Sequence, residues 1–128
     1  MLLTNEAFSG LQQWSEPLIY DRLSAAYGRL LTDGALAHRL ARLHAPVWRA
    51  LIAGDMPAFE ALRAALAPAL REAGLVGDHL AWVDAEIMTE LIDVVDSRYT
   101  RSQRTATAYR LALAEVARRL RPAVRAAA

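Results

Sequence analysis

The sequence lacks cysteine altogether, and its fifteen basic residues are all arginine. Without cysteine there are no disulfides, no thiolate metal sites, no thiolate haem ligation and no thiol nucleophile, a composition suited to a reducing compartment and a cytoplasmic location. Long hydrophobic runs are missing as well. Every apolar stretch is broken by Arg, Asp or Glu within a few residues, and Met1-Leu2-Leu3-Thr4-Asn5-Glu6 has no basic stretch followed by an apolar one, so neither export nor membrane spanning is expected. Also absent are a Gly-rich phosphate loop, a His-Glu helical metal motif and a Ser-His-Asp set.

What remains is a chain of 128 residues and 14.1 kDa, enough for one hydrophobic core. Hydrophobic residues make up 55% and charged residues 23%, with Ala and Leu well ahead of the β-branched residues, which is the composition of helices. We expect a single all-α domain over residues 1–128, a bundle of five to six helices with an N-terminal segment 1–16 and a frayed tail 122–128. Caps and breakers divide it. Thr4 to Trp14 reads as a short helix, and Ser15-Glu16-Pro17 as a fresh start, with Ser15 the N-cap and Ile19, Leu23, Ala26 and Leu30 at helical spacing behind it. Asp33-Gly34 opens a segment carrying Leu36, Leu40, Leu43, Val47 and Leu51 up to Gly54, kinked near His44 by Pro46. Asp55 and Pro57 open a third, with Phe59, Leu62, Leu66 and Leu70, a second kink at Pro68 and a C-terminal cap at Gly74. Asp78 reads as the cap of a fourth helix. The last begins near Thr100 to Ser102 and carries Tyr109, Leu113, Val116 and Leu120 until Pro122.

The fourth segment has two apolar stripes, Leu80, Val83, Ile87, Leu91 and Val94 beside Met88, Ile92, Val95 and Tyr99. Two stripes exceed what a surface helix of a small monomer needs, so a homodimer is expected, its interface formed by Met88, Leu91, Ile92, Val95 and Tyr99 with Tyr109, Leu113 and Val116. Asp78, Asp84, Glu86, Glu90, Asp93 and Asp96 precede the Arg-rich last segment and suit antiparallel pairing with it. These carboxylates read as a solvated face rather than catalytic pairs, so no enzyme is expected. A formal charge of +1, with no recognition motif, argues against a nucleic-acid partner.

Of the three histidines, His38 falls on a polar side near Arg42 and His79 at a helix start. His44 shares a face with Leu40, Val47, Trp48 and Leu51. Two roles suit that position: a core or interface histidine with one ring nitrogen bonded to a backbone carbonyl, or a haem-ligating imidazole in an apolar pocket. Around it, His44-Ala-Pro-Val-Trp48-Arg-Ala-Leu51-Ile-Ala-Gly54-Asp55, followed by Phe59 and Gly74-Leu75, resembles the stretch of bacterial sensor globins that begins at the proximal histidine. Trp82 to Val95 is similar to their penultimate helix, which pairs with the last to build a four-helix dimer. The resemblance spans roughly residues 36 to 120 and departs from the family in having only 43 residues before His44. It implies a globin-like fold, haem with His44 as iron ligand, and a pocket lined by Trp48, Leu51 and Tyr27. Tyr20 and Tyr27 otherwise read as core aromatics. Two functions follow as expectations. One is a dimeric sensory or regulatory domain that signals to a protein partner. The other is a ligand-free helical adaptor that binds a partner's helix in an apolar groove.

Overall fold

The computed structural model describes the backbone of residues 4–127 and the side chains of residues 5–121. Five helices follow one another without a strand among the described residues: α1 (Thr4–Leu30), α2 (Gly34–Ala53), α3 (Met56–Glu72), α4 (Gly77–Arg98) and α5 (Gln103–Ala127). The all-α expectation holds. Helix α2 packs between α1 and α3, while α4 and α5 form a second hairpin that closes on α1.

Helix α1 runs unbroken where two helices were expected. Ala7, Leu11, Ser15, Ile19, Leu23, Ala26 and Tyr27 are all buried at three- and four-residue steps, so one apolar stripe crosses the Ser15-Glu16-Pro17 sequence without interruption. Ser15 is therefore a buried helix residue and not a cap. Pro17, Pro46 and Pro68 all lie inside helices. Each proline strips one hydrogen bond from the carbonyl four residues earlier, and those carbonyls belong to the solvent-exposed residues Gln13, Arg42 and Ala64, where the loss is cheapest. Helix α5 likewise continues past Pro122 to Ala127; Met1 to Leu3, Ala128 and the side chains from 122 onward lie outside the described residues.

The caps between helices are the ones the sequence announces, with one exception. Asp33 accepts from the Leu36 N–H at 3.2 Å and Asp55 from the Ala58 N–H at 3.2 Å, each satisfying an orphan donor of the first turn. Helix α4 instead starts after Val76, whose N–H donates to His79 Nδ1 at 3.0 Å, and Asp78 sits within the first turn. At the other end of α2, Gly54 turns the chain with φ +79°, and Arg119 of α5 donates to the carbonyls of Leu51 and Ile52 at 3.0 and 3.4 Å. The same guanidinium lies 4.8 Å from the Phe8 ring centroid, so one side chain ties α5 to α2 and α1.

Between these elements lies one core, in which Tyr27, Leu40, Trp48, Leu51, Phe59, Ile87, Leu91 and Leu113 are all but fully buried. At about 1.5–3 kcal/mol for each fully buried large apolar side chain, this core is the principal stabilising term. Two glycine substitutions probe the helix ends. Gly54→Ala forces a Cβ into the left-handed region and lowers stability by about 1–2 kcal/mol. Gly28→Ala, exposed on α1 with nothing within 4 Å, raises it by about 0.4–1 kcal/mol. Urea midpoints at constant slope measure both.

Candidate functional site

Four helices meet at a row of polar side chains in the middle of this core. Tyr27 from α1, His44 and Trp48 one turn apart on α2, Arg63 from α3 and Asp84 from α4 converge there. The Tyr27 hydroxyl is 2.7 Å from His44 Nδ1, and His44 Nε2 is 3.1 Å from Asp84 Oδ1. The same carboxylate oxygen accepts from Trp48 Nε1 at 2.8 Å, while Arg63 donates to Oδ2 at 3.0 Å. Tyr27, His44, Trp48 and Asp84 are each no more than 1% exposed, and the Arg63 side chain is 11% exposed.

The electrostatics of the row fix its protons. Burial pushes the Tyr27 phenol far above its ordinary range, the Asp84 carboxylate adds to the rise, and Arg63 offsets part of it. Tyr27 therefore keeps its proton; in the Nε2–H tautomer of His44 the phenol donates to Nδ1 and the ring donates to Asp84, an arrangement that satisfies both ring nitrogens. For Asp84, burial alone would raise the carboxyl. The His44 ring, the Arg63 guanidinium and the Trp48 N–H outweigh it, and the carboxyl is held below the usual carboxylate range. A phenol, an imidazole and a carboxylate in series have the parts of a proton relay. Here they are sealed in the core, so the row acts on the packing of the helices around it.

The pocket residues quoted for the globin resemblance, Tyr27, His44, Trp48 and Leu51, are all found in this core region. The sequence reading missed Asp84 and Arg63. Asp84 was grouped with a solvated acidic face, yet it stands four residues after Leu80, three before Ile87 and seven before Leu91, on the buried side of α4. Its acidic neighbours Glu86 and Glu90 pair with Arg29 and Arg22 of α1 at 3.5 and 2.7 Å, and among the described residues Asp96 alone of the acidic set pairs with α5, through Arg110 at 3.0 Å. His38 is exposed beside Ser24, Tyr20 is half-buried, and His79 serves the start of α4.

A haem does not fit these residues as they are packed. Both nitrogens of His44 are engaged, its ring is 0% exposed, and iron would have to displace Asp84 or Tyr27 and part α2 from its neighbours. Among the described residues, no group of three or more His, Asp or Glu is placed to hold a metal ion. No described helix is long and apolar enough to cross a membrane. No family model, curated protein or solved structure matches this chain. The globin resemblance thus stands on the residues quoted for it.

Of the eight residues assigned to a dimer interface, Leu91, Val95, Tyr109, Leu113 and Val116 are buried within this one chain. Helix α4 is sandwiched between α1 and α5, which cover its first stripe and, of the second, Val95; Met88 and Tyr99 are half-buried and Ile92, at 40%, is exposed.

Removing the Asp84 charge leaves Arg63 uncompensated in the core, and Asp84→Asn costs about 3–5 kcal/mol at pH 7. Because the folded carboxyl titrates below its unfolded value, this stability is fully present above about pH 4 and is lost as pH falls through the lower, folded value. Urea denaturation between pH 7 and pH 3 should show wild type and variant converging only at the acid end.

Proposed function

We propose that this chain is a small helical regulatory domain that forms a homodimer through the outer faces of α4 and α5 and conveys its conformational state to a protein partner. In this reading His44 locks the core and is not an iron ligand. The observation that supports it most is the charge on those outer faces. Among the described residues, α4 shows solvent Asp78, Asp93 and Asp96 and no cation before Arg98, whereas α5 shows Arg104, Arg110, Arg118 and Arg121 against one half-buried carboxylate, Glu115, which pairs with Arg118. Arg110 pairs with Asp96 of its own chain and leaves Asp78, Asp93, Arg104 and Arg121 for a second copy. A two-fold axis that sets α4 of one copy against α5 of the other brings opposite charges together twice, an isologous contact. Two apolar anchors sit among them, Ile92 at 40% and Leu111 at 63% exposure.

The surface is a more economical reading than a catalytic centre, since the one constellation of acid, base and hydroxyl lies out of reach of a substrate. A ligand-free adaptor is the second reading. It draws on Leu43 and Leu62, 42% and 36% exposed on α2 and α3, away from the charged faces.

Light scattering tests the dimer. The expected mass is twice 14.1 kDa at low salt, falling toward the monomer as ionic strength rises, and the double variant Ile92→Arg, Leu111→Arg is a folded monomer. A wild-type monomer at high micromolar concentration sinks the proposal. For the cofactor, mixing with haemin is expected to give no sharp Soret band that His44→Ala abolishes; such a band would return His44 to the role of iron ligand.

A further inference from the structure

Helix α3 differs from the other four in how it is held. It packs along α2 alone, with no other helix lying close beside it. Its underside is anchored by Phe59, Leu66 and Leu70, and its polar tie across to α4 is the Arg63–Asp84 bridge at 3.0 Å. At each end it is joined to the chain by a glycine in the left-handed region, Gly54 at φ +79° and Gly74 at φ +78°. Toward its C-terminal end an open groove of about 370 Å³ runs between α3 and the start of α4, lined by Ala67, Leu70 and Arg71 on one side and Leu75, Val76 and Leu80 on the other.

The tie itself is incompletely satisfied. Arg63 bonds Asp84 through Nη1 and lies 5.7 Å from the Phe59 ring, but its Nη2 is buried with no hydrogen-bond partner. A buried guanidinium N–H left unpaired costs free energy that is recovered when water reaches it, so closure of α3 is opposed at the same residue that fastens it. Few anchors, two permissive hinges, an open groove and a strained latch are the features of a segment that opens before the rest of a domain unfolds.

We infer that α3 is a displaceable arm, hinged at Gly54 and Gly74 and latched by Arg63 on Asp84, whose release uncovers Phe59, Leu66 and Leu70 while α1, α2, α4 and α5 stay folded. The arm lies apart from the charged faces of α4 and α5 and does not depend on dimerisation, so light scattering and the experiment below fail independently.

Hydrogen–deuterium exchange on the full chain tests it. In the wild type, amides of residues 56–72 exchange at least about tenfold faster than those of residues 83–95, by a sub-global opening. Arg63→Gln, which keeps the stem and removes the latch, destabilises the closed state relative to the open and unfolded states alike, so exchange in 56–72 rises by about a further tenfold, exchange in 83–95 rises by no more than that factor, and the gap between the two persists. The inference is overturned by α3 exchanging in step with α4 in the wild type, a result that needs no variant to fold. It is equally overturned if Arg63→Gln leaves α3 unchanged or closes the gap between α3 and α4.

Discussion

A carboxylate taken out of water must replace its hydration shell with protein donors, and Asp84 does so with His44 and Trp48 of α2 and Arg63 of α3. Leaving such a charge without partners costs several kcal/mol even after relaxation, so the donors and the carboxylate are placed by one another. Through His44 the constraint reaches Tyr27 and therefore α1. Buried ion pairs seldom add much net stability compared with apolar residues of the same volume. What this one contributes is register. Helices built on Ala and Leu pack acceptably in several alignments, and only one alignment lets Asp84 meet three donors while Tyr27 meets the far side of the histidine. Helix α5 stands outside the row and is fixed by a separate device, Arg119 on the last carbonyls of α2.

How much of this was legible depended on whether the signal was local. Asp33, Gly54, Asp55 and Gly74 mark boundaries because an N-cap carboxylate and a left-handed glycine act within one turn, and the structure uses all four close to where the sequence places them. Pro17 and Pro122 misled because a proline's effect depends on what surrounds the carbonyl four residues before it. At Pro17, Pro46 and Pro68 that carbonyl belongs to an exposed residue, and a helix with a continuous buried stripe tolerates the loss. Val76 carries no side-chain cap of its own, so the start of α4 shifted from Asp78 to a histidine side chain closing back on a backbone N–H.

The polar row was half legible for a related reason. His44 stood out as a polar residue on an apolar face, and Trp48 and Tyr27 fell beside it. Asp84 is equally anomalous by spacing, but it belongs to a run of carboxylates and was read by the company it keeps. Its partner Arg63 is one of fifteen arginines and shows nothing in sequence to separate it from the rest. The breadth of the apolar face on α4 is a comparable case. Width shows that a helix has neighbours on two sides, not whether they come from the same chain, and here α1 and α5 supply them.

The asymmetry of the row also bears on how a domain like this would switch. Four of its five members sit on helices pinned by extensive apolar packing, whereas Arg63 sits on the least anchored helix and reaches Asp84 at the end of a long stem. Hydrogen bonds that share an acceptor are coupled, because removing one donor leaves the carboxylate underpaired and raises the cost of keeping it buried. A partial withdrawal of Arg63 is therefore unfavourable at every intermediate distance: too far to bond Asp84, too close to admit the water that would replace it. A contact with that property favours a closed and an open arrangement over those between them. If the arm opens as inferred, a small free energy of binding at a surface would be read as a change of state, because one carboxylate is buried where only three of its four helices are held firmly.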